Sequence, residues 1–187
     1  MTRQVHEFEH PDRAIIGTVG MPGERTFFLQ ARTGNRLISV VLEKAQVTIL
    51  ADRIDELLDE VRRSRPDAGE IPDPDSVVVD MDPLDVPITE EFRVGAMALG
   101  WDDGSNRVVV EAHAASEEPV EIPDIADNSE EGQDTIRLWL SARDARAFAT
   151  RARAVVSAGR RPCPFCSQPL DPQGHVCPRA NGYRRQG

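Results

Sequence analysis

The chain has 187 residues and a formal net charge of −10, enough length for one good core or one core with a small appendage. Residues 1–150 hold 31 acidic against 15 basic side chains, whereas residues 151–187 hold seven arginines against one acid, Asp171. The acidic body repels nucleic-acid phosphates and anionic lipid, so binding to either would rest on the basic tail alone.

The amino terminus, MTRQVHEFEHPDR, is charged and has no apolar h-region, and nothing later approaches the roughly 18 consecutive apolar residues of a membrane helix. A soluble, cytoplasmic protein is expected. Arginine outnumbers lysine by 21 to one, Lys44, which suggests a high-GC genome such as an actinobacterium.

A first strand is expected at Val5–Glu9, followed by the His10-Pro11-Asp12 boundary. Three β-rich segments then run over Ala14–Gly20, Thr26–Arg32 and Arg36–Leu42, separated by the turn sequences MPGE and TGN. From about 45 to 63 the period changes: Val47, Leu50, Ile54, Leu57, Leu58 and Val61 recur at helical spacing. The segment RPDAGEIPDPDSVVVDMDPLDVPITEE is rich in Pro and Asp and reads as an extended crossover, with room for a short edge strand at Val77–Val79.

The order then repeats. Phe92–Trp101 and Arg107–Ala114 flank the turn DDGSN, Thr135–Leu140 gives a third strand, and SARDARAFATRARAVVSAG reads as a helix with Ser141 at its N-cap and Gly159 at its end. An offset of 98 carries the first helix stripe onto Ala145, Phe148, Ala152, Val155 and Val156; the hairpins align at an offset of 80, so the second unit holds about 18 extra residues in the acidic loop at 116–134. The reading is α+β: two βββα units (about 5–63 and 90–159, joined by 64–89) packed as one pseudo-twofold domain over 1–160, because three strands and a helix alone bury too little apolar surface.

The strongest chemical signal is the ending CPFCSQPLDPQGHVCPRANGYRR in residues 161–187, which holds every cysteine of the chain. Cys163 and Cys166 have knuckle spacing, and His175 and Cys177 follow after a spacer with Asp171 and Gly174 that lets the chain double back. Thiolates at that spacing with one imidazole suit a tetrahedral Cys3His zinc site, and four protein ligands make it structural rather than catalytic. A C-x-x-C redox pair, iron in place of zinc and inert thiols are the alternatives; Pro162 and Pro164 and the position after a helix argue against redox chemistry.

Other candidates are thinner. His10 with Asp12, and His6 and His10 with Glu7 and Glu9, are weak pairings for acid/base or metal chemistry. Glu111 and His113 alternate along one strand face and could form an acid/base pair in a groove, though such a pair usually faces solvent. Trp101, Trp139 and most phenylalanines fall on strands or helix stripes, as core residues do. No phosphate loop, nucleophile elbow or EF-hand is present, and DPDSVVVDMD lacks the glycine and terminal glutamate of the last.

The zinc-type ending, the opening HEFEHPDRAIIGTVGMPGERTFFLQAR and the segment SVVLEKAQVTILADRIDELLDEV together resemble the DUF3090 family of actinobacterial proteins over essentially the whole chain. That resemblance carries over no catalytic residues. It implies shared occurrence with two other actinobacterial families, one resembling histidine-type phosphatases or phosphomutases and one resembling phosphoinositide kinases, and so partners of those kinds.

The functional expectation is a zinc-containing binding or adaptor protein, with Arg179, Tyr183, Arg184 and Arg185 of the tail as a binding surface. An enzyme or small-ligand sensor with a cleft between the repeats, and RNA or DNA binding through the tail, are the alternatives.

Overall fold

The computed structural model describes residues 2–117, 124–129, 131–159, 163–167, 170, 175, 177 and 179. Seven strands form one mixed sheet: β1 (Val5–Phe8), β2 (Arg13–Val19), β3 (Thr26–Thr33), β4 (Arg36–Leu42), β5 (Glu90–Asp102), β6 (Arg107–Ala114) and β7 (Thr135–Leu140). Two helices, α1 (Lys44–Ser64) and α2 (Ala142–Ser157), complete an α+β architecture. The ends of α2 follow the sequence: Ser141 Oγ accepts the Asp144 N–H at 3.1 Å, and the helix stops two residues before Gly159. Among the described residues no helix is long and apolar enough to cross a membrane.

The strand order is β1-β7-β6-β5-β4-β3-β2. β2, β3 and β4 form an antiparallel meander, as do β5, β6 and β7, and the two meanders join where β4 and β5 pair in parallel. This corrects the expected pseudo-twofold. A twofold would reverse corresponding strands or exchange the two sheet faces, whereas β2, β4, β5 and β7 all run the same way and α1 and α2 share one core on one face. Parallel neighbours need a long crossover, and α1 with residues 65–89 supplies it, so the second β-β-β-α stretch lies beside the first in the same direction. β1 then leaves the first stretch and pairs in parallel with β7 at the far edge.

Strand alternation sorts the side chains onto two faces. Ile16, Leu29, Val40, Val110, Ala112, Ile136 and Leu138 point to the helices and meet Val47, Leu50, Ile54 and Leu58 of α1 and Ala145, Phe148 and Ala152 of α2 in the main core. Across the helix pair, Arg146 is fully buried, with Nη1 2.6 Å from Asp55 Oδ1, Nη2 2.6 Å from Asp59 Oδ1 and Nε donating to Pro72 O.

The opposite face is covered by irregular chain. Residues 80–88 cross the first meander, where Leu84 packs with Ile15, Phe28 and Val41 over Gly17; a Cβ on Gly17 would lie 2.5 Å from Leu84 Cγ. Arg13 grips this strap through Asp80 and Asp85 and the carbonyls of Asp82 and Pro83, and Gln30 accepts the Asp85 N–H at 2.7 Å. Arg151 of α2 donates to Ile16 O on the edge of β2 and to Asp80 O and Asp82 O. The expected strand at Val77–Val79 does not form; the neighbouring strap makes its hydrogen bonds to these side chains instead of a ladder, and Val78 is exposed.

Candidate metal centre

One turn, carrying Cys163 and Cys166, meets His175 and Cys177 to build the cluster. After Cys163 the chain makes a tight turn closed by the Ser167 N–H on Cys163 O at 2.8 Å, with Ser167 in the left-handed region at φ 60°. That turn aims both thiols of the C-x-x-C pair to one side. The ligand atoms of Cys163, Cys166, His175 and Cys177 all lie within 4.8 Å of one another.

The separations suit a metal at their centre. Cys163 Sγ and Cys177 Sγ are 3.8 Å apart, and two sulfurs each about 2.3 Å from a tetrahedral ion would stand about 3.8 Å apart. His175 turns Nε2 inward, 3.2 Å from Cys166 Sγ. Cys163 and Cys177 are buried, which shields the centre from water on that side.

Electrostatics favour thiolate at Cys163. Burial pushes its thiol up, but backbone N–H groups of Cys166 and Phe165 and the neighbouring thiols of Cys166 and Cys177 outweigh this and hold it below the ordinary cysteine value. The Phe165 N–H lies 3.4 Å from Cys163 Sγ. The donor set is that of a closed Cys3His metal site.

Of the expected binding surface, Arg179 is described: its Nη1 donates to Phe165 O at 3.3 Å, across the knuckle. Tyr183, Arg184 and Arg185 lie outside the described residues, as do Asp171 and Gly174 of the spacer. Phe165 itself is 63% exposed, so this phenylalanine is not core.

The other candidates separate. Asp12 accepts the Gly34 N–H at 2.7 Å and so serves the β3–β4 turn, while His10 lines a different surface. His6 and Glu7 point to opposite faces of β1: His6 is buried with Nε2 3.6 Å from Glu91, and Glu7 accepts from Trp139 Nε1 on the outer face. Among the described residues the cysteine cluster is the one group of three or more His, Cys, Asp and Glu placed for a metal, so neither His6 with His10 nor DPDSVVVDMD forms one.

Glu111 and His113 share the outer face of β6, but the expected groove and solvent exposure are absent. Glu111 is 0% and His113 3% exposed, because Arg3, Arg137 and residues 124–129 close over them. The buried arginines Arg3, Arg137, Arg146 and Arg151 were not read from the sequence; the available signal was Arg137 alternating with Thr135 and Trp139 on a strand whose other face is Ile136, Leu138 and Leu140.

β4 and β5 pair directly at the seam of the two meanders, and two cavities lie elsewhere, each lined by residues of both expected repeats. A cavity of about 160 Å³ lies between the β2 edge and α2, lined by Asp12, Ala14, Asp144, Phe148 and Arg151. A second, of about 310 Å³, sits at one sheet end against His10, Asp102, Ser105, Arg107 and Trp139.

The family model described as "Protein of unknown function (DUF3090)" matches residues 6–177, from β1 through the last cysteine of the cluster. Searches of curated proteins and of solved structures returned no match.

Proposed function

The chain belongs to the DUF3090 family, and on that footing we propose that it is a zinc-containing binding or adaptor protein that acts with protein partners in the cytoplasm. The observation that carries this reading is the convergence of three thiols and one imidazole nitrogen within 4.8 Å. Zinc there would cross-link residues 163–177 and supply ordering free energy to a segment too short to fold by burial. Cys163, Cys166 and Cys177 would bind as thiolates and His175 through Nε2.

Four protein ligands leave no position for a reacting water, so the site serves structure and presentation. What it would present is the exposed ring of Phe165 together with Arg179, which is held to the knuckle through the Phe165 carbonyl; aromatic and arginine side chains anchor many protein interfaces. Proteins of the phosphatase-like and phosphoinositide-kinase-like kinds are the partners this reading proposes, with the basic tail complementing acidic surface.

A second reading, a small-ligand sensor, draws support from the 310 Å³ cavity against Trp139. Native mass spectrometry of untagged chain isolated gently from its host separates the two. The adaptor reading expects one zinc and a stoichiometric protein partner. A bound metabolite with no partner would overturn it in favour of the sensor, and a metal-free chain would overturn the zinc site itself.

A further inference from the structure

Under residues 124–129 two buried acceptor atoms stand opposite each other. Thr135 Oγ1 donates its one hydrogen to Gln133 O at 2.9 Å and accepts from Arg3 Nη2 at 3.2 Å. Its 2.9 Å contact with His113 Nδ1 is therefore made by an N–H of the ring. The other ring nitrogen, Nε2, lies 3.4 Å from Glu111 Oε2. Neither atom has a hydrogen-bond partner among the described residues, although both side chains are almost wholly buried. With the ring neutral, a lone pair would face a carboxylate oxygen and both acceptors would stay bare. One proton on Nε2 gives each its missing partner.

The same carboxylate holds the cover in place. Glu111 Oε1 accepts the Ala126 N–H at 3.0 Å and Arg137 Nε at 2.5 Å, and Arg137 continues to Asp127 O and Asn128 Oδ1. Arg3 adds Asp127 O from the amino-terminal segment. A proton at Nε2 fixes the second oxygen as well, so the carboxylate that carries the Ala126 bond is tied at both ends.

We infer that His113 and Glu111 hold a proton between Nε2 and Oε2 that latches the cover at 124–129 shut over the outer face of β6 and β7, and that losing it at higher pH loosens the cover. The surrounding charges leave room for that proton. β6 brings Glu111; β7 brings Thr135 and Arg137; the amino-terminal segment brings Arg3; the cover brings Asp127; and β5 places Ala96 and Ala98 opposite. Glu7 on β1 reaches Arg137 rather than the ring. Three carboxylates, Glu7, Glu111 and Asp127, thus meet two guanidiniums, and a proton on His113 balances the remaining negative charge.

Burial, foremost, and the guanidiniums of Arg3 and Arg137 pull the imidazole below its ordinary value of 6.5, while Glu111 pulls it up. The geometry decides for Glu111: each guanidinium has carboxylates of its own, whereas Nε2 and Oε2 have only each other. The closed state then binds the proton more tightly than the open one. Its advantage is fully present below 6.5 and is lost as pH rises through the higher closed-state value.

Ring titration of His113 by NMR in the full-length protein reads the proton directly. The ring should carry hydrogens on both nitrogens at pH 6.5 and titrate above it; titration at or below 6.5, from either neutral tautomer, overturns the inference. Hydrogen exchange at the Ala126 amide reads the latch. After correction for intrinsic exchange, its protection should be steady below pH 6 and fall by up to about tenfold per pH unit above 6.5, while the Leu29 amide in β3 holds steady. Glu111→Gln keeps an oxygen for Ala126 and Arg137 and puts an amide N–H where the proton sat, so its profile should be flat. A flat wild-type profile, or the same fall in E111Q, overturns the latch. Should E111Q fail to fold, the wild-type titration and exchange profile decide together: the ring and Ala126 must change over the same pH range, and a mismatch overturns the inference.

Discussion

Replacing Arg146 by methionine removes the charge that ties α1 to α2 while keeping most of its packing volume. Three bonds are lost, to Asp55, Asp59 and Pro72 O. Bonds to charged groups contribute roughly 1.5–3 kcal/mol each, but the losses do not simply add. The Asp59 side chain is 56% exposed and rehydrates, and Asp55 keeps Arg153 as a partner. What remains uncompensated is the Pro72 carbonyl and part of the Asp55 charge, offset in part by the apolar methionine. The net cost is about 3 kcal/mol, or about 6–12 °C in Tm for a chain of this size.

Arg153→Met is the internal control. Its side chain is 39% exposed and shares Asp55 with Arg146, its other partner being Asp52, so solvent screening holds its cost below about 1 kcal/mol. Urea unfolding followed by far-UV circular dichroism, with calorimetry for Tm, compares the two. If the variants fall within about 0.5 kcal/mol of each other, burial is not what makes Arg146 important.

Gly17→Ala should destabilise by about 1–3 kcal/mol, because its Cβ would meet Leu84 at 2.5 Å; Leu84→Ala in the same chain should recover part of that loss, and a full additive loss would refute the contact. Arg13, through its hydrogen bond, is the main cause holding the Asp80 carboxyl below 3.8, so this pair contributes stability above that value and loses it as pH falls through the lowered one. Asp80→Asn should therefore blunt the acid loss below pH 3.8, and unchanged acid sensitivity there would count against it. Residues 1–63 and 90–159 expressed separately should be insoluble or unfolded, whereas residues 1–160 should unfold in one transition; two transitions would contradict a shared core. Chelating the metal should alter exchange protection in α2 or in residues 116–134 as well as in 163–179 if the knuckle docks on the body, and a change confined to the knuckle would sink docking.

Local structure was largely legible because it rests on local physics. The stripe from Val47 to Val61 and the Ser141 cap define α1 and α2 to within a few residues, and β4, β6 and β7 match their expected bounds. The global relation was not legible: β-β-β-α order is compatible with a twofold or with side-by-side meanders, and only the parallel β4–β5 pairing distinguishes them. Charge misled most. The burial of Arg137, Arg146 and Glu111 was not read, since their partners lie 26 to more than 80 residues away in the sequence. The cysteine cluster was legible from spacing alone because its ligands fall within 15 positions, where chain connectivity already restricts the geometry.

Metal analysis with X-ray absorption on chain made without an affinity tag tests the zinc site most directly. One zinc per chain is expected, bound by three sulfurs at about 2.3 Å and one nitrogen at about 2.0–2.1 Å, with Cys166→Ser losing the metal while the sheet and helices stay folded. Less than about half an equivalent of zinc, or a shell in which light atoms replace one or more of the three sulfurs, would contradict it.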